Sequence, residues 1–277
     1  MKPNFNPAHA RWFLIALFSM LFGFEAVADE AFPGRDVYPD IPVISTEDLH
    51  RGFEQSIIVD ARTPYEYETL RIKGAINIPL KLNNEKFIAK IQGLRSASDR
   101  PIIFYCNGHS CMKSYKATRK AILYAKADNV YAYDAGVFDW AKQHPELAEL
   151  LGNSPVNPEQ LISRERFEKH LMPAVDFIKT AGDKAVIVDI RDRIQRDGFY
   201  IFSGHENSIP LNEKDRLQAI IRQAKNDRRP LYIYDAVGKQ VRWLQYYLEA
   251  EKITDYYFMK GGANAFFDIP IDELMDS

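Results

Sequence analysis

A stretch of this chain is written twice. Ile57-Ile58-Val59-Asp60-Ala61-Arg62 returns as Val186-Ile187-Val188-Asp189-Ile190-Arg191, and Arg100-Pro101-Ile102-Ile103-Phe104-Tyr105 returns as Arg229-Pro230-Leu231-Tyr232-Ile233-Tyr234. The offset is 129 residues both times, from Asp60 to Asp189 and from Pro101 to Pro230. Gly74-Ala75-Ile76-Asn77-Ile78-Pro79 has a weaker echo in Glu206-Asn207-Ser208-Ile209-Pro210, and Asp134-Ala135-Gly136-Val137 in Lys260-Gly261-Gly262-Ala263. A period this long implies a duplicated domain, because solenoid repeats run about 20 to 50 residues. The total of 277 residues likewise exceeds what one ordinary core needs.

Inside each unit, short apolar runs alternate with helical stretches. Ile57 to Val59, Ile102 to Tyr105 and Val130 to Tyr133 read as buried strands, and Ser114 to Tyr124 as a helix with Tyr115, Thr118, Ile122 and Ala125 on one face. Ser45 and Asp48 have the spacing of a helix-opening cap. Such alternation predicts an α/β fold, a mainly parallel sheet flanked by helices in each unit. The first unit is expected over 43–150 and the second over 159–277. Leu151 to Pro158, rich in turn formers, joins them. Glu159 to Thr180 reads as a long helical segment broken at Pro173.

The N-terminus is of another kind. Lys2 and Arg11 precede the uncharged run Trp12 to Phe24, and Ala26-Val27-Ala28 follows before Asp29, the order of a secretory signal. The run falls short of the ~20 residues of a spanning helix, so residues 1–28 are expected to be removed on export to the periplasm or medium. Residues 29–42 then form an N-terminal extension, with no membrane span after cleavage. A net charge of −2 offers no basic field for nucleic acid, and none is expected as a partner.

The chemistry concentrates in Tyr105-Cys106-Asn107-Gly108-His109-Ser110-Cys111-Met112-Lys113-Ser114, a strand end running through a polar loop into a helix. In an open parallel sheet, ligands bind beyond the carboxyl ends of strands, where Cys106 falls. Loop N–H groups and the helix N-terminus would favour its thiolate. Cys106 and Cys111 are the chain's two cysteines. A structural disulfide across so short a loop would stabilise the protein little. Cys111 is a resolving thiol, a disulfide partner or an incidental loop residue. No metal-ligand cluster stands out among the six histidines.

These motifs resemble those of the rhodanese, or sulfurtransferase, superfamily. Asp60-Ala61-Arg62, Glu66-Tyr67 and Ile72 to Pro79 are similar to its first signature, Tyr105 to Ala117 to its active loop, and Gly136-Val137 through Trp140 to its closing element. The resemblance covers most of the chain after residue 28. It implies two tandem rhodanese-like domains and a Cys106 persulfide that passes sulfur from a donor such as thiosulfate to a thiol or cyanide. It also implies no metal or organic cofactor, with Asp60 and Arg62 bracing the sheet end. This loop departs from the usual one. It is longer, carries Cys111, and ends in Met112-Lys113 where an arginine is common, leaving Lys113 and His109 as candidates to attract an anionic donor.

In the second unit Asp235 stands where the first has Cys106, so that unit is expected to be catalytically silent and free to dock a partner. Three other readings compete with sulfur transfer. One is a non-turnover sulfur carrier or partner-binding accessory protein, and another is a thiol-disulfide oxidoreductase using Cys106 and Cys111. The third is a Cys-x5-Arg phosphatase or arsenate reductase, which Met112 at the arginine position disfavours. The signal reading predicts a periplasmic protein whose N-terminus is Asp29. N-terminal sequencing of protein released by osmotic shock checks it, and full-length protein held in carbonate-washed membranes would refute it.

Overall fold

The computed structural model describes residues 32–196, 198–270 and 272–273. The expected signal segment, residues 1–28, lies outside the described residues. In the first half the chain runs α1 (Pro33–Val37), α2 (Thr46–Arg51), β1 (Ile57–Asp60), α3 (Pro64–Thr69), β2 (Leu70–Ile72), β3 (Ile76–Asn77) and α4 (Asn84–Ala97). It continues through β4 (Ile102–Tyr105), α5 (Lys113–Ala125), β5 (Val130–Tyr133), α6 (Gly136–Gln143) and β6 (Ala148–Leu150). The second half holds α7 (Arg164–Glu168), β7 (Leu171–Met172), α8 (Ala174–Thr180), β8 (Val186–Asp189), α9 (Arg193–Arg196) and β9 (Asn207–Ser208). It closes with α10 (Lys214–Asn226), β10 (Leu231–Tyr234), α11 (Val241–Ala250) and β11 (Tyr256–Met259).

Each half holds one parallel sheet, and the two sheets are similarly ordered. The first sheet has the order β3-β1-β4-β5, with Val43 bridging to Ala132 beyond β5, and the second has β9-β8-β10-β11-β7. Every pairing within these two sheets is parallel. β1, β4, β8 and β10 are buried along their whole lengths, as strands covered by helices on both faces must be. Ile57 and Val59 pack to one side with Ile102, Phe104 and Ala121, while Ile58 packs to the other with Ile103, Tyr105 and Trp140. Ser45 accepts the Asp48 amide at the start of α2, as the sequence predicts. The helix after the cysteine loop carries Tyr115, Thr118 and Ala125 on its buried side.

Two expectations give way. The segment 159–180 is not one broken helix: Leu171 and Met172 form strand β7, pairing with Phe258 and Met259, and Pro173 only then opens α8. Two residues at a sheet edge take their conformation from the neighbouring strand, which no helical period reveals. The connection 151–158 is partly buried, with Val156 seated in the first half's core and its amide bonded to the Pro145 carbonyl. A small antiparallel pair, β2 with β6, sits beside it and was not foreseen.

The halves share apolar packing. Trp243 and Tyr246, both on α11, are buried among Ile58, Ile103, Tyr105, Val137 and Trp140 of the first half. Trp243 stacks on Phe138 at 5.5 Å, and the Tyr246 hydroxyl accepts the Ile162 amide at 3.0 Å. Among the described residues no helix is long and apolar enough to cross a membrane. Removing this wedge is expected to cost about 3–5 kcal/mol, the usual range for a buried Trp→Ala change. Urea denaturation of Trp243→Ala reads that loss, and an unchanged midpoint would mean that the halves do not depend on each other through this contact.

Candidate functional site

The site stands on a buried ion pair at the end of β1. Asp60 and Arg62 are both fully buried, and Arg62 Nη2 meets Asp60 Oδ2 at 2.6 Å while its Nε meets Oδ1 at 2.9 Å. The same guanidinium donates to the Leu70 carbonyl and, at 3.4 Å, to Asn107 Oδ1 in the cysteine loop. Tyr105 and Trp243 lie against it at 5.4 and 5.1 Å. Burial opposes the charge on Arg62, but Asp60 foremost, with Tyr105 and Glu66, holds it firmly protonated. Through these contacts Asp60 and Arg62 tie the end of β1 to the start of β2 and to the cysteine loop.

Cys106 follows β4 and its side chain is fully buried. Its Sγ lies 3.1 Å from the Cys111 carbonyl oxygen and 3.6 Å from Ser114 Oγ. Gly136 opens α6 with φ +72°, and a Cβ there would lie 2.4 Å from the Gly108 amide. Only glycine lets the cysteine loop pack so closely on α6, and the Val137 amide then holds the Cys106 carbonyl at 3.0 Å.

The electrostatics of the two thiols differ from the sequence expectation. Burial pushes the Cys106 thiol well up, and hydrogen bonding with Cys111 adds to this, so the described loop holds Cys106 as a neutral donor. Cys111 is pulled down to about 6, first by the Cys106 thiol donating to it, then by the amides of Lys113 and Asn107 and the charge of Lys113. The amides expected around Cys106 thus serve Cys111 in part, those of Asn107 and Lys113 facing the second sulfur. The Ser114 amide and hydroxyl remain with Cys106.

Lys113 was expected to present its charge to a donor. It is instead paired with Glu66, Nζ to Oε2 at 3.1 Å, and Glu66 is itself buried. The sequence analysis gave Glu66 no role. It caps α3 together with Thr63 in a reciprocal box and reaches Asn107 Nδ2 at 3.5 Å, so it ties α3 to the loop. The Thr-x-x-Glu spacing was a legible signal for the cap but not for the loop contact. His109 pairs with Asp139 at 2.6 Å and stacks on Phe32 of the N-terminal extension at 4.3 Å. Ser110 is exposed at the loop tip, and Met112 packs toward Ile41 and Tyr115.

In the second half the loop is kept and its centre is changed. Arg191 repeats the Arg62 contacts on Asp189, the Phe199 carbonyl and Tyr234, and Gly262 repeats Gly136. Asp235 turns its carboxylate into the loop, where the amides of Val237, Gly238, Gln240 and Val241 all donate to it. The cradle is an anion site already filled by a side chain of its own chain. Arg242 points away, to the Ile162 carbonyl and the Phe138 ring.

The expectation of no metal-ligand cluster also needs amending. His50, with His144 and Glu146 from more than ninety residues later, brings ligand atoms within 4.8 Å of theirs. The two imidazoles are stacked face to face at 3.9 Å and 11°, however. Nearly parallel rings keep their in-plane lone pairs in two separate planes that do not meet at one ion, which is a poor chelating geometry.

Comparison with known proteins bears on this half. Residues 45–143 match the family model of the rhodanese-like domain. The chain is 32% identical over 116 residues to M-phase inducer phosphatase 2 of Mus musculus, a match covering 38% of this chain and 20% of that protein. It is 31% identical over 101 residues to the tRNA uridine(34) hydroxylase of Buchnera aphidicola, covering 36% of this chain and 31% of that one. The chain therefore spans about a fifth to a third of the length of these relatives. Among solved structures, a thiosulfate sulfurtransferase from Pseudomonas aeruginosa superposes with a TM-score of 0.37 at 19% identity, over 82% of this chain and 42% of that one.

The Glu66 contacts generate a pH prediction. Burial works against its charge, but Lys113, Arg62 and the Thr63 amide and hydroxyl together hold its carboxyl below the ordinary value. A carboxyl depressed in the folded state adds stability above its unfolded value, roughly 4.3, and that stability is lost as pH falls through the folded value. Glu66→Gln is expected to cost about 1–3 kcal/mol at neutral pH and to flatten the acid limb of the stability curve below about pH 4. Denaturation midpoints of parent and variant across that range check it.

Proposed function

We propose that this protein is a sulfurtransferase that carries sulfane sulfur as a Cys106 persulfide, from a donor such as thiosulfate to a thiol or cyanide. One observation carries the reading: in the segment that matches the rhodanese-like family model, a cysteine stands at the carboxyl end of a central parallel strand and a serine hydroxyl and helix amide face its sulfur. A sulfur relay needs a nucleophile in a preorganised pocket and no cofactor.

The chemistry balances with groups at hand. Opening of the loop exposes the Cys106 thiol, whose proton then passes to water or buffer. The Cys106 thiolate so formed attacks the outer sulfur of thiosulfate, a sulfur–sulfur bond to Cys106 forms, the bond to the sulfonate breaks, and sulfite leaves. An acceptor thiolate or cyanide then takes the outer sulfur and releases the Cys106 thiolate. For this the Cys111 carbonyl, now 3.1 Å from Cys106 Sγ, must turn aside, so the described loop is the resting form. Phosphoryl transfer, suggested by the M-phase inducer phosphatase match, would need a bidentate cation in the loop. Met112 stands at that position, and Lys113 is engaged by Glu66.

In this reading the second half is silent, its cradle filled by Asp235, and it supports the first half through α11 and offers a surface for a partner protein. Residues 1–28 direct the chain to the periplasm or medium. With thiosulfate and cyanide, purified protein is expected to form thiocyanate. Cys106→Ser should lower the rate more than about a hundredfold. Asp235→Ala should leave the rate within about twofold while costing about 1–3 kcal/mol of stability, because it strips four amides of their acceptor. Turnover by the Cys106→Ser protein would refute the reading, and sulfur loading without turnover in the parent would make it a carrier.

A further inference from the structure

Cys106 and Cys111 are both free thiols, and both side chains are drawn into the same curl of chain. The Cys111 amide bonds back to the Gly108 carbonyl at 2.7 Å, a tight turn that folds residue 111 over Cys106 and sets its carbonyl 3.1 Å from Cys106 Sγ. Cys106 is fully buried, whereas Cys111 is half-buried. An external acceptor must displace the loop to reach sulfur held on Cys106. Cys111 already lies inside, with the advantage in effective concentration that an intramolecular nucleophile enjoys.

We propose that Cys111 is a resolving thiol: it attacks Sγ of persulfidated Cys106, closes a Cys106–Cys111 disulfide and expels the outer sulfur as hydrosulfide. The proposal rests on the Cys106 persulfide reading above. The step balances. Cys111 enters as a thiol that carries its own proton. Its sulfur forms the new bond, the bond between Cys106 Sγ and the outer sulfur breaks, and the outer sulfur departs with that proton as HS⁻. The two thiols are thereby oxidised and the sulfane sulfur is reduced to sulfide. A dithiol reductant restores the pair by exchange, leaving as its own disulfide. Over a cycle, thiosulfate and a dithiol give sulfite, hydrosulfide, a disulfide and one proton to solvent.

Two observations favour attack at Sγ over relay of the outer sulfur to Cys111. The Cys111 backbone is folded over Sγ itself, its carbonyl oxygen 3.1 Å away, which keeps the residue beside that atom. The Asn107 and Lys113 amides that face the Cys111 sulfur support a thiolate developing there as the proton leaves. Lys113 keeps its place near this sulfur because Glu66 holds it, which gives the ion pair a use in the loop beyond structure.

The test is a single turnover with the whole mature protein. Protein is reduced, freed of reductant and incubated with thiosulfate under anaerobic conditions without any acceptor, then assayed at the endpoint for sulfite, hydrosulfide and intact mass. The expected result is sulfite and hydrosulfide in equal amounts, with the protein lighter by two hydrogens and no thiol left to label. Cys111→Ser and Cys111→Ala, with folding checked by circular dichroism, should release sulfite but at least about tenfold less hydrosulfide, retaining one added sulfur. A parent that keeps the added sulfur and both residues' labelling capacity, or variants that release as much hydrosulfide as the parent, would overturn the proposal. A parent that releases no sulfite would instead show that loading itself fails, and the persulfide reading and this proposal would fall together. The parent measurement depends on no variant, so a misfolded variant leaves the decision intact.

Discussion

The Arg62 guanidinium is the interaction on which the first half depends. Fully buried, it joins the end of β1, the start of β2, the cysteine loop through Asn107, and α11 of the second half through Trp243. Taking a guanidinium and a carboxylate out of water costs several kcal/mol each, and only near-ideal geometry with every donor used offsets that. The arrangement therefore contributes position more than stability. A shift of the loop, the β2 turn or the second half would leave part of a buried cation unpaired, so each is held to one place relative to β1. Arg191 imposes the same constraint in the second half, on the corresponding atoms of Asp189, Phe199 and Tyr234.

On this common frame the two halves hold different anions. The second loop closes on the Asp235 carboxylate, which is covalently fixed and accepts from four amides. The first loop, longer in reach and carrying sulfur instead of oxygen, divides its donors between Cys106 and Cys111. A carboxylate makes a stable plug, whereas a thiol pair makes a store of protons and electrons. One backbone device thus holds a carboxylate in one half and a thiol pair in the other, and the difference comes down to which atom enters the cradle.

The two thiols of the first half sit in unlike surroundings. Burial raises Cys106, whose sulfur lies against the Cys111 carbonyl, while hydrogen bonding from Cys106, the Asn107 and Lys113 amides and the charge of Lys113 lower Cys111. Of the two, the buried Cys106 is the harder to ionise. Glu66 completes this logic from beneath, since it neutralises Lys113 enough to bury it partly without removing its field from Cys111.

Much of this was legible in the chain. The repeat determined two similar parallel sheets, because identical strand patterns with identical spacing bury in identical ways, and the strand-loop-helix around Cys106 placed a reactive thiol at the end of a sheet. Ser45 and the strands at 57–60, 102–105 and 130–133 follow from local patterns that need no distant partner. The identity of Asp235, read by offset, already told that the second loop lacks a sulfur. What the sequence could not tell depends on contacts between residues far apart along the chain. Lys113 reads as a free cation until Glu66, 47 residues earlier, is brought to it. Cys106 reads as the thiolate until the curl of the loop shows its sulfur buried against a carbonyl. Strand β7 and the buried Val156 exist because a neighbouring strand and a neighbouring core claim them. Local chemistry decides which groups a chain possesses, but charge, acidity and burial depend on distance through space, and the folded chain alone sets those distances.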